Sequence, residues 1–469
     1  RLRQAVSDFD LIPVQGAGRA PAASEEVPFE AGSALGVQLM RGDIEVTAIG
    51  TVTAVDEAGV FVAFGHPFLH KGDVRYFTTG AYVLHTIPSL SIPFKLAAPL
   101  APVGTLTQDR AAAIAGHLGE LPPAVQLEVR AFDANRGKET SLKAEVVRDP
   151  SLFATLAVVG ILEGVDRALD RIGAGTSKVS FTIEGEGLPE ALSRRNMFYS
   201  ATDVAAASLG ELWEALDLIE QNEFADPLLA RVAFTIEVDE ARRTAVIEEA
   251  RPAESSVAPG SVVDVHVRLR PYRQDAFELV VPLSIPEGVG EGPVSVSVRA
   301  GGGDFRAEVP TSLEEELEGS GSPGEEDEAD GGPTRAESLD NLIREFLERS
   351  RNNDLVIEFY PNEVGGPGRR KRFESEASQE ESEPSVDADF DGFDFEAGPE
   401  PVRIVHETDY VLQGEAYFTL IVEAKAAGGE EPGHLPEPSP ERIEPETRRG
   451  PQPLVERPSG FSAELRRIR

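Results

Sequence analysis

Alternating side chains over residues 44–55 are the feature that most constrains how this chain folds. Val46 and Val52 occupy positions of one parity, and Thr47 and Thr53 occupy positions of the other. A repeat of two residues is that of a β-strand with one buried face, because successive side chains of a strand point to opposite faces. The pattern predicts a β domain in this part of the chain.

A turn and a second strand follow at once. Residues 56–59, Asp-Glu-Ala-Gly, carry turn chemistry, and residues 60–64, Val-Phe-Val-Ala-Phe, are apolar enough for a central strand. We assign residues 26–226 to this first domain. Three further segments within it are predicted to be strands: 81–87, 125–132 and 141–148.

Two amphipathic helices are predicted in the same domain. Asp149 and Pro150 form a start signal, because Asp caps a helix N-terminus and Pro fits its first position. Apolar residues then recur every three or four positions over residues 152–172, and a second stripe covers residues 209–219. Both stripes are typical of helices that bury one face in a core.

Short alternating strands separated by turns rich in Pro, Gly and Asp change the character of the chain after residue 226. This spacing over residues 227–312 predicts a β-sandwich of immunoglobulin-like type. A helix and a strand are predicted over 338–362, and a further strand over 401–426. We expect the strands of these later segments to add to the sandwich.

Four segments lack the aliphatic content of a folded core. Their composition cannot offset the cost of ordering a backbone, about 1–2 kcal/mol per residue, so we predict disordered linkers, a loop and tails. These segments are residues 1–25, 313–337, 363–400 and 427–469.

Charge and cysteine content exclude several function classes. The chain has 82 acidic and 44 basic residues and a net charge of -38, which argues against a nucleic-acid partner because phosphate contacts need a basic face. No stretch approaches the roughly 18 consecutive apolar residues of a membrane span, so no transmembrane segment is predicted. The absence of cysteine excludes disulfides, thiol catalysis and cysteine-ligated metals. We predict no cofactor and no metal.

Among the seven histidines, His66 alone has an informative setting. It follows the second predicted strand directly, between Gly65, which permits unusual backbone angles, and Pro67, which fixes the exit of the chain. A histidine at a strand end suits a general base, because its ordinary pKa of about 6.5 allows proton transfer near neutral pH. The setting alone leaves open a purely structural histidine.

Four segments around His66 carry a resemblance to a known family. Residues 48–53, 62–67, 103–110 and 114–116 read AIGTVT, VAFGHP, VGTLTQDR and IAG. Together they resemble the SpoIVB-type (stage IV sporulation protein B) serine peptidase domain, over roughly residues 30–185. The resemblance implies a trypsin-like mechanism on a β-barrel, protein or peptide substrates and a bacterial, secreted or envelope location. It also implies that His66 is the catalytic base.

The nucleophile of that family does not appear beside the histidine segment. Its signature is Gly-Met-Ser-Gly-Ser-Pro, and Ser320-Gly321-Ser322-Pro323 matches four letters of it. Acidic surroundings give Ser322 neither a rigid turn nor an oxyanion hole, so we do not assign it as the nucleophile. In long relatives the nucleophile region can precede the histidine. We therefore expect sequence upstream of Arg1 to supply the serine and acid, and this chain alone to be inactive.

From the sequence alone, Asp109 has two interpretations. It could orient His66, or it could form a structural ion pair with Arg110 or Arg75 that pins a loop. The fold class predicted overall is mainly β: a trypsin-like-peptidase-related β domain with two amphipathic helices, then a β-sandwich and acidic disordered segments. The function predicted is that of a SpoIVB-type serine peptidase or its histidine-bearing portion. A non-catalytic binding or scaffold protein of the bacterial envelope is the alternative.

Overall fold

A computed structural model describes residues 28–88, 90, 94–304, 338–362 and 400–423. The segments predicted to be disordered lie outside these residues, apart from Glu400. The described part of the chain is mainly β, as predicted. No helix in it combines the length and apolar content needed to cross a bilayer.

The first strands close into an antiparallel barrel. They are β1 (Ala34–Gly42), β2 (Val46–Val55), β3 (Val60–Ala63), β4 (Gly72–Ile87), β5 (Phe94–Arg110) and β6 (Ala113–Leu118). Their neighbour order is β1-β2-β3-β6-β5-β4, and β4 returns to pair with β1. Closure removes free sheet edges, and large apolar side chains fill the core. Buried members of that core include Leu35, Phe61, Tyr76, Leu106 and Ile114.

Strand β1 also joins the barrel to an open sheet. Its end, Met40–Gly42, pairs with Ala144–Val146 of the neighbouring strand. The added strands are β7 (Ala124–Asp133), β8 (Lys138–Val147), β9 (Gly175–Glu186), β10 (Leu192–Ser200) and β11 (Leu228–Asp239). Their order is β10-β9-β11-β7-β8. The barrel, the open sheet and three helices together make up the first module. The helices are α1 (Phe153–Leu169), α2 (Val204–Ala207) and α3 (Gly210–Glu220), and α1 packs on β7 and β8.

Two sequence expectations differ from this arrangement. The domain boundary predicted at residue 227 would separate β11 from its own sheet. In the structure β11 pairs with β7 and β9 and not with a strand of the sandwich. Its alternating side chains fit either sheet, so the pattern could not choose between them. Helix α1 begins at Phe153, so its cap residue is Leu152 and not Asp149.

The remaining strands form two further sheets. They are β12 (Thr244–Pro252), β13 (Ser256–Val257), β14 (Val262–Pro271), β15 (Phe277–Ser284), β16 (Gly292–Ala300), β17 (Asp354–Phe359), β18 (Val402–Glu407), β19 (Val411–Gln413) and β20 (Glu415–Val422). One sheet has the order β15-β14-β12-β19, and the other has the order β13-β20-β16-β17-β18. Their facing side chains form a second core, so the two sheets make a sandwich.

Helix α4 (Leu339–Glu348) packs on the first module although it lies between two sandwich strands in sequence. Buried Arg194 of β10 holds the end of this helix by donating to the carbonyl oxygens of Phe346, Leu347 and Arg349 at 3.1–3.4 Å. The same guanidinium forms a two-pronged ion pair with Glu211 of α3, with both N–O distances 2.9 Å. A buried charge needs such pairing to offset its lost hydration.

Candidate functional site

The loop of residues 64–71, between β3 and β4, carries His66. Phe64 and Gly65 both have positive φ angles, 68° and 78°, so the chain turns sharply as it leaves β3. The Phe64 ring lies against Gly50 of β2, where an added Cβ would stand only 1.9 Å from the ring. Gly50 therefore makes room for the aromatic ring beside which His66 lies.

The His66 side chain is exposed, and one ring nitrogen is fixed. Its Nδ1 lies 2.6 Å from the carbonyl oxygen of Pro67. Because a carbonyl can only accept, Nδ1 carries the hydrogen, which leaves the lone pair on Nε2. The ring centroid lies 5.2 Å from that of Phe64. This tautomer is the one that a general base acting through Nε2 requires.

Asp109 is fully buried and holds this loop through its backbone. Its two carboxylate oxygens accept hydrogen bonds from the N–H groups of Phe68 and Leu69, each at 2.7 Å, and of Lys71 at 3.2 Å. Three donors to one buried carboxylate fix the backbone strongly, because bonds to a charged acceptor are about twice as strong as neutral ones.

This arrangement corrects both expectations for Asp109. The group that fixes the His66 ring is the carbonyl of Pro67 and not the Asp109 carboxylate. Asp109 does pin a loop, but through backbone N–H groups and not through an ion pair. Arg110 instead pairs with the exposed carboxylate of Asp73 at 2.6 Å.

Asp149 is the centre of a second polar cluster, which joins the end of the His66 loop to the start of α1. It accepts hydrogen bonds from the Tyr76 hydroxyl at 2.5 Å, from the Ser151 hydroxyl at 2.8 Å and from Lys71 Nζ at 3.3 Å. The Ser151 hydroxyl also accepts from Lys71 Nζ. Burial, followed by the contact with Asp149, raises the pKa of Tyr76 well above its ordinary value, so the phenol stays protonated.

Ser151 in this cluster is built as part of a turn and not as a nucleophile. Its backbone N–H and its hydroxyl both donate to Asp149 Oδ1, and the ammonium group of Lys71 is already ion-paired with the same carboxylate. A serine nucleophile needs a free base beside it. Within the described residues no serine hydroxyl hydrogen-bonds to His66, and Ser322 lies outside them.

Glu220, the last residue of α3, lies near the same cluster. Burial is the largest cause that raises its pKa, to about 7, and the negative charges of Asp226 and Asp149 add to the effect, while Arg148 opposes it. Sequence reasoning missed this group and the Asp149 cluster, because Lys71 and Tyr76 lie more than 70 residues before Asp149, as Asp149 does before Glu220, and such contacts leave no local pattern.

No protein-family model, curated protein or solved structure matches the chain.

Proposed function

We propose that this chain is the histidine-bearing part of a SpoIVB-type serine peptidase that acts on proteins or peptides in the bacterial envelope. One observation carries the proposal: His66 is exposed at a strand end, with Nδ1 bonded to a carbonyl and Nε2 left as the proton acceptor. The closed β-barrel supports it, because chymotrypsin-type peptidases place their catalytic residues on β-barrels.

In this mechanism the serine comes from a segment outside the 469 residues, as the resemblance to the SpoIVB-type family implies. Nε2 of His66 takes the serine proton as the oxygen attacks the substrate carbonyl, and returns the proton to the leaving amine. Asp109 acts as a positioning residue, because it fixes the backbone of the loop from which the imidazole extends. The geometry of such a triad, and not its order along the chain, determines activity.

The test is labelling of the full-length gene product by a serine-directed fluorophosphonate probe, together with turnover of a peptide substrate. His66→Ala should abolish both while leaving the melting temperature nearly unchanged, because the side chain is exposed. His70→Asn is the matched control: His70 is exposed in the same loop, and Asn tolerates its positive φ of 62°. Residues 1–469 alone should show no labelling. Labelling at Ser151 or Ser322, or full activity of His66→Ala, would contradict the proposal.

A non-catalytic envelope scaffold is the second candidate. The observation that favours it is that no serine among the described residues bonds to His66. Under this alternative the full-length protein shows no labelling by the serine probe, and His66→Ala changes no measured property beyond a small shift in stability.

A further inference from the structure

Strands β4 and β5 continue beyond the barrel as a two-stranded arm. Strand β1 pairs with β4 only as far as Gly80, and β6 pairs with β5 only from Gly104 onward. Beyond these points the two strands pair with each other, from Ala81 opposite Pro99 to Ile87 opposite Phe94. Residues 81–87 and 94–99 form this arm.

The arm is apolar and almost without charge. Between Arg75 and Asp109 the only Asp, Glu, Lys or Arg is Lys95, in a chain of which 27% is charged. Large side chains on both strands face solvent: Val83 is 39% exposed, Leu84 41% and Phe94 39%. An exposed apolar surface that extends over two strands, unlike a single exposed residue, marks a site of interaction.

The unpaired strand edges of the arm indicate what kind of partner it binds. Within the described residues, neither 81–87 nor 94–99 has a strand partner on its outer side. Unpaired N–H and C=O groups along a strand edge pair readily with another polypeptide strand. A lipid surface offers no such partners, and burying unpaired backbone groups in it is strongly unfavourable. The arm therefore fits an extended polypeptide better than a membrane.

The arm is linked to the His66 loop through strand β2. Lys95 Nζ donates to Thr51 Oγ1 at 2.5 Å and to the carbonyl of Gly50 at 3.3 Å. The carbonyl of Thr51 accepts from the backbone N–H of Phe64 at 3.0 Å, and the Phe64 ring neighbours that of His66. One contact chain thus connects the arm to the candidate base.

We propose that the arm binds an extended, uncharged and apolar polypeptide strand by edge-to-edge pairing and holds it beside His66. The first part, strand binding, stands on the arm alone. The second part, delivery to His66, rests on the proposed function and identifies its substrates as extended apolar segments.

Binding is measured by fluorescence anisotropy with a fluorescein-labelled peptide of alternating Thr and Val residues. The double variant Leu84→Asp/Phe94→Asp should weaken binding at least about tenfold, because it places charge on the contact surface. Val262→Asp is the matched control, since Val262 is a 62% exposed residue of a sandwich strand, and it should bind like the wild type. The same peptide N-methylated at alternate residues should not bind, because it lacks the backbone donors.

Hydrogen exchange locates the contact. Amides of 81–87 or 94–99 should become protected when the peptide is added, and those of β14 should not. A second variant, in which Asn-Gly joins Ala81 to Pro99 in place of residues 82–98, keeps all barrel pairings and should lose binding. Equal binding of the N-methylated peptide or of the shortened variant would overturn the proposal. So would arm-dependent flotation with phosphatidylcholine vesicles, or arm-dependent dimers in sedimentation.

Peptide binding and serine labelling, both measured on the full-length protein, separate the two proposals. Arm-dependent binding without serine labelling of the full-length protein would retain the arm and reject the peptidase. Serine labelling with no arm-dependent binding would retain the peptidase and reject the arm.

Discussion

The Tyr76 hydroxyl donates to Asp149 across 2.5 Å, from the barrel core to the turn that precedes α1. These residues are 73 positions apart in sequence, yet their contact joins the strand after the His66 loop to the helix layer. Tyr76→Phe removes the donor and leaves a buried carboxylate with fewer partners. We expect the free energy of unfolding to fall by about 1–3 kcal/mol. Urea denaturation measures it, with Tyr360→Phe, an exposed phenol, as the control that should change nothing.

Asp109→Asn should release the His66 loop. The neutral amide has one acceptor oxygen and loses the charge that strengthens three backbone hydrogen bonds, so we expect a loss of about 2–3 kcal/mol and faster amide exchange at Phe68, Leu69 and Lys71. Asp73→Asn changes an exposed carboxylate and should cost less than about 1 kcal/mol. Unchanged exchange at the three amides would show that Asp109 does not hold the loop.

Glu220 should make stability fall as pH rises from about 4.5 to about 7. Its folded-state pKa of about 7 lies above its ordinary value of 4.5, so the folded state binds the proton more tightly than the unfolded state in that window. Deprotonation therefore destabilises the fold as pH passes through 7. Glu220→Gln should remove this slope and stabilise the protein at pH 8 by about 1 kcal/mol, allowing for solvent screening.

Thermal melts of the wild type and Glu220→Gln across this range test the effect. Glu163→Gln, a half-exposed position on α1, is the control and should leave the slope in place. Parallel melting curves for the wild type and Glu220→Gln would exclude Glu220 as the titrating group.

Arg194→Met should be among the most destabilising single changes. It leaves Glu211 as an unpaired buried charge and removes the donor that holds the end of α4, so we expect a loss of about 3–5 kcal/mol. Arg194→Met combined with Glu211→Leu should recover part of it, since no buried charge then remains. Chemical denaturation measures both, and an equal loss in the single and double variants would contradict the explanation.

Local patterns predicted the strands with regular alternation and missed strands in which the alternation is interrupted. Residues 44–55 and 60–64 alternate or are uniformly apolar, and they form β2 and β3. Strand β5 was not predicted, because Pro99 and Pro102 interrupt any regular pattern in it. Strand β12 was not predicted either.

The candidate site was predictable in position but not in its contacts. His66 lies just after a strand, between Gly65 and Pro67, and this local setting distinguishes it from the other histidines. Asp109 holds backbone groups 38–41 positions away, and no spacing rule reveals such a contact. The relation to trypsin-like peptidases stays a prediction.

The return of the chain through α4 has a consequence for how the molecule comes apart. The chain passes from β16 of the sandwich to α4 on the first module, and back to β17 of the sandwich. Cleavage within residues 313–337 therefore gives two polypeptides that each contribute strands to the sandwich, and they should stay together until denatured. For the same reason heating should give one calorimetric transition. Strand β17 directly follows α4, so unfolding of the sandwich should be coupled to the release of α4 from the first module. The two modules are interlaced along the chain, so neither corresponds to one continuous segment that could be excised intact.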